Sequence, residues 1–210
     1  MFLGVIVATL IAYLLGALPI AAWISRRSGI DIFSVGTGLP GASNVRRSVG
    51  NIPGGLVLIG DLAKGAIAIV AARQMQVEGL WLILPCFAMV IGHWRSIFTG
   101  FKGGDGLAPL GGAILVMFPP FNGFLAVFIG SIVTLGGQKL PYTSLLGLVA
   151  GIGALLWLSR YYPSNPNDLA LSAGVAIIAV LVLLHASVGH RRRNSSADWS
   201  NLDDGEGATE

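Results

Sequence analysis

Polar surface is what this sequence lacks most. Only 11% of its 210 residues are charged against 54% hydrophobic, and mean hydropathy is +0.76, which leaves too little polar surface to cover a water-soluble core. A soluble domain is excluded, and the chain reads as an integral membrane protein. Cysteine is nearly missing as well. Cys86 is alone, which rules out disulfides and cysteine-based metal sites within the chain; its apolar neighbours make it a packing residue. Neither GxxxxGK[ST] nor HExxH occurs, which removes the P-loop and zincin readings. There is no His-x4-Asp pair, because Phe98 stands five residues after His93. Around His93, His185 and His190 no carboxylates gather as metal ligands would, so no metal and no cofactor is expected. Nothing points to nucleic acid, and no heptad or long internal repeat is present.

What the chain does have is long apolar runs. A bilayer-spanning helix needs about 20 apolar residues, and seven stretches qualify or come close: Phe2–Ile24, Ile52–Ala72, Gly79–Gly92, Gly106–Phe118, Pro119–Leu135, Tyr142–Ser159 and Leu169–Ser187. The fold expected is therefore all-α, with seven transmembrane helices in one membrane domain over residues 1–190. The third and fourth runs are short. Only the "FPPFN" turn divides the fourth from the fifth, its prolines denying the helix hydrogen bonds. The first run is not a secretory signal, since no Lys or Arg precedes it and Arg26 and Arg27 follow it.

Positive charge selects the orientation. With the N-terminus outside, ten of the thirteen basic residues fall on the inner side: Arg26, Arg27, Arg46, Arg47, Arg95, Lys102, Lys139 and Arg191 to Arg193. Arg73 and Arg160 fall outside, and Lys64 lies within a span. The C-terminus is then cytoplasmic. The tail, 191–210, begins basic and ends acidic, as expected of a headgroup anchor followed by a partly disordered end.

Three polar stretches interrupt this apolar pattern, all on or near the inner side. In "VGTGLPGASNVRRSVG", Val35 to Gly50, glycines let backbone amides approach an anion, Thr37, Ser43 and Asn44 can hydrogen-bond it, and Arg46 and Arg47 add charge. In "GDLAKGAIAI", Gly60 to Ile69, Asp61 and Lys64 share a helix face within an apolar span. Such charges belong to a structural ion pair or to the wall of a site. In "GHWRSIFTGFKGGDGLAPLGG", Gly92 to Gly112, Lys102 enters a glycine run that leads into a helix N-terminus, a suitable place for phosphate.

These stretches resemble, in the same order and over nearly the whole chain, the motifs of the PlsY family of bacterial acyl-phosphate:glycerol-3-phosphate acyltransferases. The family patterns are GSGNxGATNVLR, DxxKG and GHxxPxFxxFKGGKGVAT; this chain reads "GTGLPGASNVRR", "DLAKG" and "GHWRSIFTGFKGGDGLAP". The resemblance implies a multi-pass enzyme of the bacterial inner (cytoplasmic) membrane, working as a monomer among membrane lipids. Its members need neither metal nor acyl-CoA. Its substrates would be acyl phosphate and glycerol 3-phosphate, its products lysophosphatidic acid and phosphate. Carried over by motif, Ser43, Asn44 and His190 take catalytic roles, while Thr37, Gly38, Arg47, Lys102, Gly103, Gly104 and Ser144 bind substrate and phosphate. No protein nucleophile is evident. Direct transfer is expected, with a substrate phosphate oxygen or His190 accepting the proton.

Four departures fall inside the proposed phosphate sites. Leu39 replaces the family's Asn, Asp105 replaces the last Lys of FKGGK, Ala108 and Pro109 replace its AT, and Arg193 stands where the family's His-x-x-Asn places Asn, with Asn194 one residue later. At about 5 Å and an effective dielectric near 20, one charge pair is worth roughly 3 kcal/mol, so exchanging attraction for repulsion weighs on phosphate binding. Three readings follow. One is an active acyltransferase with a rearranged site; the second is an inactive or altered-specificity member acting as a lipid-binding or regulatory membrane protein. The third, a small transporter or channel with Asp61 and Lys64 as pathway charges, is disfavoured by the long cytoplasmic loops and the lack of an inverted repeat.

Overall fold

The protein is described as a computed structural model covering residues 2–136 and 143–203, with side chains described up to residue 187. The described chain is helical. In order come α1 (Phe2–Ala17), α2 (Ile20–Arg27), α3 (Ala42–Ser48), α4 (Asn51–Gln74), α5 (Ile83–Trp94), α6 (Leu107–Met117), α7 (Pro120–Gly136), α8 (Thr143–Tyr161) and α9 (Asp168–Asp203). Single 3₁₀ turns, Gly79–Leu82 and Ile97–Thr99, precede and follow α5.

Five segments have the length and apolarity to cross a membrane: Phe2–Arg27, Asn51–Gln74, Gly79–Thr99, Thr143–Tyr161 and Asp168–Ser187. The other two expected spans are the shorter apolar helices Leu107–Met117 and Pro120–Gly136. The first expected span is interrupted at Leu18 and Pro19, where the proline cannot donate a backbone hydrogen bond and α2 restarts beyond it. A helix that the sequence reading did not include, α3, forms inside the first polar stretch.

Small residues set how closely the helices approach. A side chain on Gly16 would strike the Met89 backbone, and one on Gly92 the Tyr13 carbonyl, so α1 and α5 are in backbone contact. Gly65 lies against the Pro109 carbonyl and Gly112 against that of Leu62, which brings α4 and α6 equally close. Without a hydrophobic force between helices in lipid, backbone proximity of this kind is what holds them together. Between these crossings lies the main core, with Ala8 and Ala12 of α1, Ile69 and Ala72 of α4, Met89 and Val90 of α5, Leu110 and Ala113 of α6, and Val175 and Val182 of α9. Cys86 is fully sealed within it. Rings and aliphatic side chains such as Phe2, Ile6, Ile59, Phe124, Phe128 and Ile177 remain exposed on the outer faces, as lipid contact requires.

The guanidinium of Arg73, in the last turn of α4, donates to the Met117 carbonyl at the end of α6 at 3.1 Å. The two helices therefore run the same way and finish level. Since α6 has 11 residues, about 16 Å at 1.5 Å per residue, its first turn falls near the middle of the longer α4. The consequence is a glycine loop delivered deep into the helical layer, beside Asp61.

Candidate active site

The first polar stretch is organised by one amide. Asn44, 2% exposed on α3, donates through Nδ2 to the carbonyls of Val35 (3.0 Å), Leu39 (3.0 Å) and Ile32 (3.4 Å). Its Oδ1 accepts from the Thr37 N–H and the Ser48 hydroxyl, each at 3.3 Å. Both ends of the amide are used, which a carboxylate cannot imitate. Gly36 passes so close to Oδ1 that a Cβ there would overlap it, and its φ of +57° is also one that L-residues avoid. Asn44 thus fixes the loop that carries Thr37, Gly38 and Leu39. A small second core of Ala21, Ala22, Ile32, Val45 and Val57 seats this loop and α3 on α2 and α4.

The second and third stretches meet through side chains. Asp61 Oδ1 and Lys64 Nζ form an ion pair at 2.8 Å, with both residues 3% exposed. Lys64 Nζ also lies 2.7 Å from His93 Nδ1 and donates to the Leu18 carbonyl at 3.3 Å. That carbonyl is available because the helix is broken at Pro19. A buried pair that loses one partner costs about 3–5 kcal/mol, so the ion pair is a structural commitment as well as part of the site. Ten residues separate Asp61 from the start of α4, about 15 Å along the helix.

The glycine loop then closes over His93. The Gly104 N–H donates to the His93 carbonyl at 3.2 Å. A Cβ on Gly103 would collide with the His93 and Trp94 carbonyls, and one on Gly104 would lie 2.5 Å from His93 Nε2. The Thr99 hydroxyl donates to the Lys102 carbonyl. Trp94 Nε1 holds the Asp105 carbonyl at 2.8 Å, and its ring stacks on His185 at 4.5 Å. Gly106, at φ +88°, turns the chain into α6. The first N–H groups of α6 therefore point their positive end toward the space beside Asp105.

That space is a cavity of about 430 Å³ with two kinds of wall. At one end stand Thr37, Leu39, Ser43, Asn44, Asp61, His93 and Asp105; between α6, α7 and α8 the lining becomes Ile114, Ala126, Val127, Leu145, Leu148 and Ile152. Ser131, Thr134 and Ser144 line it from α7 and α8. An anionic head can sit among polar groups while an apolar tail continues between helices. Its size is that of an ordinary ligand site, about 300–1,000 Å³.

Of the residues expected from sequence, the fold brings Thr37, Leu39, Ser43, Asn44, Asp105 and Ser144 to this one cavity. Lys102, Gly103 and Gly104 line a narrow cleft of about 20 Å³ on the other side of Asp61 and His93, which face both spaces. Gly38 sits in the Asn44-held turn and Arg47 is exposed on α3; neither lines the cavity wall. The side chain of His190 lies outside those described, on the helical continuation of α9. His93 is the residue that reading the motifs for phosphate left without a role. Its position directly after Gly92 in a motif, at the end of an apolar span, is the available signal.

Comparison with known proteins agrees with this architecture. The profile of the family described as glycerol-3-phosphate acyltransferase matches residues 6–195. Glycerol-3-phosphate acyltransferase 1 of Deinococcus radiodurans is 34% identical over 180 residues, which is 86% of this chain and 79% of that protein. The glycerol-3-phosphate acyltransferase of Synechococcus sp. (strain JA-3-3Ab) is 37% identical over 180 residues, 85% and 86% of the two chains. The crystal structure of PlsY, an integral membrane glycerol 3-phosphate acyltransferase, in its glycerol 3-phosphate form superposes with a TM-score of 0.73 at 26% identity, covering 91% of this chain and 92% of that one. Its lysophosphatidic acid form gives 0.71 at 28% identity over the same shares. With the motifs in one cavity and the family matched along nearly all of its length, the chain belongs to the glycerol-3-phosphate acyltransferase family of multi-pass membrane enzymes.

Proposed function

We propose that this enzyme transfers a fatty acyl group from acyl phosphate to the 1-hydroxyl of glycerol 3-phosphate, at the inner face of a bacterial cytoplasmic membrane. The observation that carries the reading is the two-ended cavity, whose polar end is built from all three motifs and whose apolar end opens between α6, α7 and α8. An acyl phosphate is already an activated anhydride, so alignment and charge stabilisation suffice. The glycerol oxygen attacks the acyl carbon, the bond from that carbon to the phosphate oxygen breaks, and phosphate departs with the electron pair. The hydroxyl proton passes to a phosphate oxygen. Thr37 and Ser43 bind phosphoryl oxygens on a loop that Asn44 holds and Gly38 turns, Arg47 and Lys102 attract the anionic substrates, and Ser144 bounds the cavity from α8. The five long segments and the two shorter helices make seven spans with the N-terminus outside, and the enzyme works as a monomer.

Asp105 favours a second element of the reading, an altered preference for the acyl acceptor, because a carboxylate in the cavity wall disfavours one anionic group close by. Purified protein in bilayers, given palmitoyl phosphate and radiolabelled glycerol 3-phosphate, is expected to form lysophosphatidic acid, and Arg47→Ala to lower that product by about 100-fold. Absence of product from the native chain, with retained lipid binding, would instead favour a lipid-binding role.

A further inference from the structure

Lys64 occupies the point where Asp61, Leu18 and His93 converge, and its three partners match its three N–H donors. As the cation of the ion pair it has no lone pair to offer. The 2.7 Å contact with His93 Nδ1 then has one polarity: the lysine donates and the ring accepts. An imidazole that accepts at Nδ1 carries its proton at Nε2. Nε2 lies on the Gly104 side of the ring, where a Cβ would come within 2.5 Å of it; Gly104 lines the narrow cleft, and His93 lines both that cleft and the cavity. Among the described residues Nε2 has no hydrogen-bond partner, although His93 is only 7% exposed.

We propose that Lys64 fixes His93 as the Nε2–H tautomer and that this N–H is a hydrogen-bond donor to an anionic oxygen of the bound acyl phosphate. The assignment rests on the cavity being the acyl-transfer site. His93 is then a catalytic residue that stabilises charge and takes no proton, Lys64 is a positioning residue, and Asp61 holds Lys64 in place. The hydroxyl proton therefore does not go to His93, in keeping with its transfer to a phosphate oxygen proposed above. Gly104 has a defined part as well: any side chain there would cover the donor.

Nitrogen-15 NMR of the bilayer-embedded native chain, labelled at histidine and lysine, tests the tautomer directly, with His93 assigned by its loss in His93→Gln. The expected spectrum has a bare Nδ1 close to the Lys64 amine and a protonated Nε2; Lys64→Met should abolish that preference. Activity tests the role. Glutamine can place an amide N–H near the Nε2 position and asparagine cannot, so His93→Gln should keep kcat/KM for acyl phosphate within about tenfold. His93→Asn and His93→Phe should lose about 10²–10³-fold, as removal of an oxyanion donor does, with KM for glycerol 3-phosphate little changed. A protonated Nδ1 in the native chain, or His93→Phe with native kcat/KM, would overturn the proposal. If the variants fail to fold, the native spectrum still decides. A native chain with the expected spectrum but no lysophosphatidic acid would sink the acyl-transfer reading while leaving the tautomer lock standing.

Discussion

The two walls of the cavity are built differently. On one side α1, α4, α5 and α6 touch backbone to backbone at Gly16, Gly65, Gly92 and Gly112, and the Asp61–Lys64–His93 cluster is set among them. On the other, α7 and α8 pack mainly on each other around Gly130, Gly147 and Gly151, and α7 buries only Asn122, Gly123 and Ala126. A charge in the middle of a membrane helix needs fixed partners, whereas an acyl chain needs only apolar width. Polar chemistry has been placed where four helices converge on fixed partners, and the lipid-sized space beside a helix pair that, although also in backbone contact at Gly130, Gly147 and Gly151, packs mainly on itself.

The sharpest way to break that contrast is a side chain at the tight crossing. Gly112→Leu has no room against the Leu62 carbonyl and should prevent recovery of folded protein, while Gly153→Leu on α8, with nothing within 4 Å, should express and melt like the native chain. Next in size is Arg47→Ala. Loss of a charge-assisted contact worth about 1.5–3 kcal/mol should reduce lysophosphatidic acid formation by about 100-fold without changing thermal stability, which separates attraction of the substrate from the fold. Asp105→Lys sharpens the same end of the cavity in the opposite direction. Replacing repulsion by attraction, even heavily screened, should lower KM for glycerol 3-phosphate by about tenfold. At the apolar end Ala126→Leu should move the preference toward shorter acyl phosphates by about tenfold in relative kcat/KM, since one or two methylenes of pocket space are worth about 1–3 kcal/mol; unchanged selectivity would mean that the chain runs elsewhere. Smallest of all, Ile59→Ala on the exposed face of α4 should alter stability by less than about 0.5 kcal/mol.

Much of the site was legible because its residues are exceptions to their surroundings. Asp61 and Lys64 stand out in an apolar run, and glycines beside Thr37 and Lys102 stand out in loops. The spans followed from hydropathy, the shortness of α6 included, yet the break at Pro19 did not. It depends on a neighbour that satisfies what the backbone leaves open, as Lys64 does for the Leu18 carbonyl. The motif gives Asn44 a catalytic role; its five hydrogen bonds to the loop and Ser48 require coordinates to see. His93 and Lys64 are 29 residues apart on separate helices, and no periodicity within either helix predicts that they touch.

The burial of Cys86 has a practical side. Because the lone thiol is sealed in the core, water-soluble maleimides should leave the native chain unlabelled, which makes it a silent background for reporters placed one at a time. Ser28 and Tyr162 are both exposed just beyond helix ends. In intact cells, a seven-span chain with its N-terminus outside should label at Tyr162→Cys and not at Ser28→Cys until the membrane is permeabilised.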